Sequence, residues 1–499
     1  MNYIKVKYKI LFIVVFLIAV ITRVILWPTL LEANIDEAMT AINASSITDT
    51  GKDMYGVSFP VYLETWKYGG QSVMLAYLTA FCIKLFGMSM FSVRLPMLLV
   101  SLISIIVFYD FTKRIFKDKK IALLAMFLLS ITPWHILQSK WSIDCNMFPH
   151  FALFSMYFLY RGITEKKLYL YISMIFFGLS MYTYGVSIYF VPLFLLISAI
   201  YLLIKKKINI KELIICILIY MLIFTPLFIM YLINFLKIDK QINLGIFTIT
   251  YFSEQTRTND MLLFSSNILS QLLKNIISLL SIIFLQYDNL PWNATSIFGT
   301  TYHISIIFII ISLINYFRKK ENNIGIKLFV LWFILSLFVG IFINETNINR
   351  LNIIWYPLIF FTLYGLLICF KNKQTLIIIL YAILFISYNI FFYTSYYKEI
   401  NRSVCFGNGL KEGYEFLSNY NNSKYYLNFD NTIQFKTYIK FHNEIFNQNV
   451  LEKTSIEELD KDSIYIIKSS DIDKINVSGF TKIIYGEYIY GEYIILKSH

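Results

Sequence analysis

Charge is scarce in this sequence. Only 15% of its 499 residues are Asp, Glu, Lys or Arg, against 57% hydrophobic residues. So few charges cannot cover the surface of a soluble domain of this length, and the positive mean hydropathy agrees: the composition is that of a polytopic membrane protein. Cysteine is scarcer still. Cys82, Cys145, Cys216, Cys369 and Cys405 show no metal or redox spacing, and three lie in apolar runs, so they are read as core or lipid-facing residues. The chain has no glycine-rich nucleotide-phosphate loop, no internal repeat and no low-complexity tract. Acids are fewer than bases, 31 against 44, for a net charge of +13. What that excess means depends on where the charges lie.

An apolar run of about 20 residues crosses the hydrocarbon of a bilayer. The first, Ile10 to Pro28, follows Lys5, Lys7 and Lys9, is longer than a signal-peptide core and precedes no small-residue cleavage site, which predicts a retained span. Further spans are predicted near 93–112, 121–138, 148–160, 168–183, 185–204, 212–235, 302–317, 328–343, 351–370 and 375–394, making about eleven. Basic clusters then follow alternate spans, at 113–120, 161–167, 205–211, 318–320 and 371–373, all on the side of the basic N-terminus, the cytoplasm. This register requires 71–86, short and carrying Lys84, to lie along the outer interface as a juxtamembrane helix, and 267–285 likewise. An odd number of spans places the C-terminus outside.

From about Ser395 the composition shifts to Asn, Lys, Glu and Tyr, with β-rich runs at 424–429, 463–468 and 492–497 and helical candidates at 410–419 and 432–441. The predicted fold class is therefore an α-helical polytopic membrane domain over 1–394, with outer loop 29–92, outer loop 139–147 and outer segment 236–301. An extracytoplasmic α/β domain follows over 395–499.

Most of the unusual acids lie in one stretch. Glu32, Asp36, Glu37, Asp49, Asp53 and Glu64 stand between Glu32 and Gly70 against only Lys52 and Lys67. A second outer loop carries Asp144 among apolar and amide residues, flanked by Trp141 and Asn146, and a carboxylate there is costly without a partner or a task. Asp36 and Asp144, brought together by neighbouring spans, would serve as a base and its orienting partner or share a metal ion. The competing reading makes them solvated loop acids or helix caps, Asp36 standing four residues before Thr40. His135, His150 and His303 are read as hydrogen-bonded interfacial residues. Trp27, Trp66, Trp134, Trp141, Trp292 and Trp355 form an expected aromatic belt at the outer ends of spans, with Trp66 and Trp141 beside the acids.

The order of these parts resembles a known family. NIDEAMTAINASSITDTGKDMYG followed by FP resembles the first outer loop of the C-type glycosyltransferases, especially the bacterial branch related to protein O-mannosyltransferases and the lipid A aminoarabinose transferase. KLFGMSMFSVRLP is similar to the segment leading into the second span through an Arg-Leu pair, here Arg94 and Leu95. SKWSIDCNMFP is similar to the second outer loop with its aspartate, and NINRLNIIWYPLIF to a later segment with Arg350 and Pro357.

The resemblance implies transfer of a sugar from a polyprenyl-phosphate donor to an extracytoplasmic acceptor: a cell-envelope glycan, a lipid or a protein. It implies a first-loop carboxylate as general base, Asp36 first and Glu37 second, with Asp144 as partner. Lys67, Arg94 and Arg350 would hold the donor phosphate, Glu64 would be a metal or orienting ligand, and Trp66 and Trp141 would stack on a sugar ring or line the prenyl groove in place of joining the belt. No ion is required by these residues, though a carboxylate-rich site suits Mg²⁺ or Mn²⁺ better than a His-rich one. The expected partners are the lipid donor, the bilayer and the acceptor, not nucleic acid. A transporter or flippase, a polysaccharide polymerase or ligase, and a non-catalytic membrane scaffold are the competing classes.

Overall fold

The computed structural model describes residues 2–65, 68–252, 268–319, 321–343, 345–370, 373–403, 409–453, 459–460, 462–484 and 493–498. The membrane part is helical throughout. Helix α1 (Asn2–Val24) leads to α2 (Ile35–Thr50), which starts at Asn34, whose side chain accepts the Asp36 N–H, and stops at left-handed Gly51. A two-stranded hairpin follows, β1 (Leu63–Thr65) against β2 (Tyr68–Gln71), and then α3 (Val73–Phe86), whose 14 residues are too few to cross a bilayer. Helix α4 (Met90–Phe116) is long and apolar.

The predicted single span at 121–138 is in fact broken. Helix α5 (Lys119–Ile131) stops at Thr132, which is extended because Pro133 disfavours helical geometry in the residue before it, and Pro133 opens the short α6 (Pro133–Gln138). Helix α7 (Asp144–Thr164) begins four residues earlier than the expected span, so Asp144 stands on its first turn rather than in a loop. Then come α8 (Lys167–Ser180), α9 (Ser187–Ile204) and α10 (Ile210–Phe235), the last started by a capping box between Asn209 and Glu212.

Strands β3 (Ile242–Asn243) and β4 (Thr248–Ile249) form a hairpin that joins the first loop, the Val61 N–H reaching the Thr248 carbonyl at 2.9 Å. Helices α11 (Ile268–Phe284), α12 (Ser305–Lys319) and α13 (Ile324–Phe342) precede a 3-10 turn at Asn352–Ile354 that runs into α14 (Trp355–Phe370). Helix α15 (Gln374–Phe391) continues through a π turn, Phe392–Tyr396, into α16 (Tyr397–Asn401), beyond the expected boundary at 394. Helices α12 and α14 touch backbone to backbone at Gly365, where a Cβ would collide with the Phe308 carbonyl.

The described residues carry a helix at every predicted span, and six helical stretches are long and apolar enough to cross a membrane: 90–116, 187–204, 210–235, 324–342, 352–370 and 375–401. Cys82, Cys145 and Cys216 are buried and Cys369 is exposed, all as free thiols, while Cys405 lies outside the described residues.

The C-terminal part is an α/β unit. Helices α17 (Leu410–Leu417) and α18 (Ile433–Phe446) lie with a five-stranded sheet of β5 (Ser423–Leu427), β6 (Val450–Glu452), β7 (Ser463–Lys468), β8 (Phe480–Ile484) and β9 (Tyr493–Ser498) in the order β6-β5-β7-β9-β8. Strand β5 runs parallel to β6 and β7, whereas β9 runs antiparallel to β7 and β8. Along β7, Ile464 and Ile466 face one apolar cluster and Tyr465 and Ile467 another, as the period-2 alternation of a strand requires. The first cluster extends through Tyr438 and Ile439 of α18 to Ala38, Ala41 and Ile42 of α2. The C-terminal unit is thereby seated on the helix that carries Asp36 and Glu37.

Candidate active site on the first and second loops

Asp36 and Glu37 occupy the first turn of α2, where unsatisfied N–H groups and the helix dipole favour carboxylates. Their side chains diverge. Glu37 is fully buried and receives Arg94 Nε on Oε1 at 2.9 Å, Arg94 Nη2 on Oε2 at 2.6 Å and the Ser142 N–H on Oε1 at 2.7 Å. Arg94 also donates to the carbonyls of Pro28, of Leu31 at 2.9 Å and of Glu32 at 3.1 Å. Five N–H groups meet five protein acceptors, so the guanidinium is saturated. Ser142 Oγ closes the knot on the Val93 carbonyl at 2.6 Å. The first loop, the start of α4 and the second loop are thus tied through one ion pair.

Asp36 is half-buried at the surface of this knot. Gln71 Nε2 donates to Thr40 Oγ1 at 2.6 Å and to the Asp36 carbonyl at 3.4 Å, and the next residue, Ser72, donates its N–H to Asp144 Oδ2 at 3.4 Å. The dipeptide Gln71-Ser72 therefore reaches both aspartates. The two residues after Asp144 are held by Asn352. Asn352 Nδ2 donates to the Cys145 carbonyl and to Asn146 Oδ1, both at 3.1 Å, while its Oδ1 accepts Trp134 Nε1 at 2.7 Å.

Among the described residues, Gln71 Oε1 and Ser72 Oγ, beside the two aspartates, and both side-chain polar atoms of Gln138 are buried with no hydrogen-bond partner. Each such atom costs about 1–3 kcal/mol if left unsatisfied. Beneath lie two buried cations. Arg23 donates to the Ser130 carbonyl at 3.0 Å and meets His135 Nδ1 at 2.6 Å. Lys140, in the second loop, donates to the Arg23 carbonyl at 3.3 Å, and burial, then the nearby Arg23 and Arg94 charges, lower its pKa to about 7.

Several expectations need correction. Arg94 has no N–H left for a donor phosphate; its role is to fix Glu37 and the first loop. Glu37 is closed off as a base by the same pair. Trp134, Trp141 and Trp355 are not belt residues: each is at most 1% exposed and sits in the main hydrophobic core, so Trp141 presents no ring face for stacking on a sugar. His135 and His150 are interior residues linked through Tyr356, His150 Nδ1 lying 2.7 Å from its hydroxyl.

Arg350 does stand at the surface, between α13 and α14, with Nη1 on the Glu345 carbonyl at 2.9 Å and 3.5 Å from the Glu345 carboxylate. Glu64 is half-buried on β1. Trp66 and Lys67 lie outside the described residues. Among the described residues no group of three or more His, Cys, Asp or Glu side chains is arranged to hold a metal ion. Gln71 and Ser72 were missed in the sequence because a lone amide or hydroxyl carries no motif; only the fold brings them to the aspartates.

Residues 70–231, from the hairpin through α10, match the family described as dolichyl-phosphate-mannose-protein mannosyltransferase. The crystal structure of ArnT from Cupriavidus metallidurans bound to undecaprenyl phosphate superposes on 98% of this chain and 97% of its own, with a TM-score of 0.58 and 11% identity. The chain has the fold of that structure. The archaeal oligosaccharyltransferase AglB from Archaeoglobus fulgidus, solved with an inhibitory peptide and a dolichol-phosphate, shares it over 89% of this chain at a TM-score of 0.52 and 11% identity, and the chain spans 64% of that protein. No curated protein sequence matches. The shared fold covers the bundle, both loops and the C-terminal unit, and the family match includes Gln71, Arg94 and Asp144.

Proposed function

We propose that this protein is a membrane glycosyltransferase that moves a sugar from a polyprenyl-phosphate donor to a hydroxyl of an extracytoplasmic acceptor. Its basic N-terminus then faces the cytoplasm, and its acidic first and second loops and C-terminal unit face outward. The observation that carries this reading is the division of labour between adjacent acids: Glu37 is consumed by Arg94 and Ser142, while Asp36 stays half-buried beside Gln71 and within one dipeptide of Asp144.

Asp36 takes the proton of the acceptor hydroxyl as its oxygen attacks the anomeric carbon. The bond from that carbon to the phosphate oxygen breaks, and the lipid phosphate leaves with its electron pair. Asp144 positions the Ser72 backbone, and through it the acceptor side of the site. Gln71 Oε1, Ser72 Oγ and Gln138 suit a polyhydroxyl substrate, since a sugar offers both donors and acceptors to unpartnered buried groups. With Arg94 saturated, Arg350 and Lys67 are the remaining cations of the expected set for the leaving phosphate. ArnT, of the same fold, was solved with undecaprenyl phosphate, which supports a lipid-phosphate donor here.

The test is sugar transfer in membranes expressing wild type or Asp36→Asn, supplied with radiolabelled polyprenyl-phosphate sugars and separated into lipid and polymer fractions. Label leaving the lipid only with wild type supports the assignment and identifies the acceptor class. Equal transfer by both removes Asp36 as the base. Absence of transfer from every donor by folded wild type counts against the enzyme reading.

A further inference from the structure

At the opposite end of the bundle from Asp144, an apolar cavity of about 400 Å³ opens between α7, α8, α9 and α10. Leu159, Met174, Pro192 and Leu195 are among its walls. Two wall residues are polar. Ser198 Oγ and the Tyr220 hydroxyl are both buried and, among the described residues, neither has a hydrogen-bond partner. Ser198 lies six residues before the end of α9 at Ile204, about 9 Å along the axis at 1.5 Å per residue. Tyr220 lies ten residues into α10, about 15 Å from its start, but a helical side chain leans toward its helix N-terminus, which here is the same end. The two hydroxyls thus approach one depth.

Immediately past that end, Lys205, Lys206, Lys207 and Lys211 are exposed, and among the described residues none has a carboxylate within ion-pair distance. Lys167 is the lysine at this rim that is paired, with Glu212 at 3.0 Å. The layers therefore ask for three things in order: an anion over the lysines, acceptor oxygens just beneath, and hydrocarbon within the cavity. A hydroxyl held in hydrocarbon without an acceptor is costly. A polyprenyl chain has no ester oxygen to offer at that depth, and an uncharged amphiphile leaves the lysines unanswered.

We propose that the cavity between α7 and α10 is a binding site for an anionic diacyl phospholipid of the leaflet at the lysine-rich end, with an acyl chain in the cavity, ester carbonyls on Ser198 and Tyr220, and the phosphate over Lys205 to Lys207 and Lys211. Basic pockets between membrane helices hold such headgroups, and the apolar walls hold the chain in register. The site is separate from the glycosyl-transfer reading and stands or falls without it.

The test uses the whole protein reconstituted in bilayers of phosphatidylcholine and phosphatidylglycerol in equal parts, with retained lipid read by native mass spectrometry after mild detergent extraction. Wild type is expected to retain phosphatidylglycerol about tenfold over phosphatidylcholine. K205A/K206A/K207A is expected to lose that preference and K205R/K206R/K207R to keep it, which separates charge from misfolding. Ser198→Ala with Tyr220→Phe lowers occupancy but leaves the headgroup preference, and Ala199→Trp, on the cavity wall, excludes both lipids. Equal retention of the two lipids by wild type would overturn the proposal. So would an unchanged preference in the alanine triple variant, undiminished retention in Ala199→Trp, or displacement of the phospholipid by added polyprenyl phosphate.

Discussion

The Glu37 carboxylate and the Arg94 guanidinium, 57 residues apart in sequence, meet at 2.6 Å with both side chains buried, and the pair joins three segments that surround Asp36. A buried pair of this kind adds little net stability over an apolar pair of equal volume, but removing one partner leaves the other charge unanswered. Arg94→Ala is expected to destabilise the folded protein by about 3–5 kcal/mol. Arg94→Lys should recover only part, because an ammonium has three donors for five acceptors and no planar fork. Thermal unfolding in detergent, followed by tryptophan fluorescence, measures both; a wild-type midpoint for Arg94→Ala would contradict the role assigned to the pair.

The two aspartates should fail differently. Asp36→Asn, as loss of the base, is expected to lower turnover by about 10²–10⁴-fold with little change in donor affinity. Asp144→Asn keeps an acceptor oxygen for the Ser72 N–H and should cost less. Initial rates over a range of donor concentration separate the two; larger damage from Asp144→Asn would exchange their roles.

Gln71→Ala removes both the tie to Thr40 and a buried carbonyl oxygen that lacks a protein partner. The expected outcome is a raised KM and a lowered kcat with unfolding shifted by no more than about 1–2 kcal/mol. A loss confined to stability would make Gln71 a structural residue.

The seat of the C-terminal unit should respond to pH from both sides. His442, buried in α18, is held neutral: burial lowers its pKa to about 4, with Lys411 adding to the effect and the Tyr438 carbonyl opposing it. Its contribution is fully present above the unfolded value near 6.5 and is lost as pH falls toward 4, at most on the order of 3 kcal/mol. Glu32 acts in the opposite sense. Burial, then the neighbouring Glu412, hold its carboxyl well above the usual range, so its contribution is present below the unfolded value and is lost as pH rises through the folded one. Limited proteolysis of the unit against pH should show His442→Phe flattening the acid limb and Glu32→Gln the alkaline limb. Unchanged profiles would remove these groups from the balance.

Gly365 permits the backbone contact between α12 and α14, and Gly365→Val is expected to force those helices apart and lower the yield of folded protein, whereas Gly→Ala changes at exposed helical positions normally stabilise. Size-exclusion profiles of the two kinds of variant provide the comparison.

Much of the helical framework was legible in the sequence, because apolar runs, basic flanks and caps act over a few residues at a time. The 14-residue α3 and the β-rich C-terminal unit are local in that sense, as is the cap of α2, which falls at Asn34 and not at the expected Asp36. The break at Pro133 was legible too, since proline restricts the residue before it, but the length of the apolar run concealed it. The acids of the first loop and Asp144 stood out for a compositional reason: carboxylates are rare and costly beside a membrane.

How each acid is held was decided by tertiary structure alone. Asp36 and Glu37 are neighbours with the same chemistry, and which one is consumed depends on where α4 brings Arg94 and where the second loop brings the Ser142 N–H. Arg94 and Trp141 looked like interfacial residues because a sequence records their type and not the acceptors or walls around them; burial gave one five carbonyl and carboxylate partners and the other a place in the core. Local patterning chooses helices and their ends. Hydrogen-bond saturation and burial are set by segments far apart in the chain, so only the assembled bundle decides which charged groups remain available for chemistry.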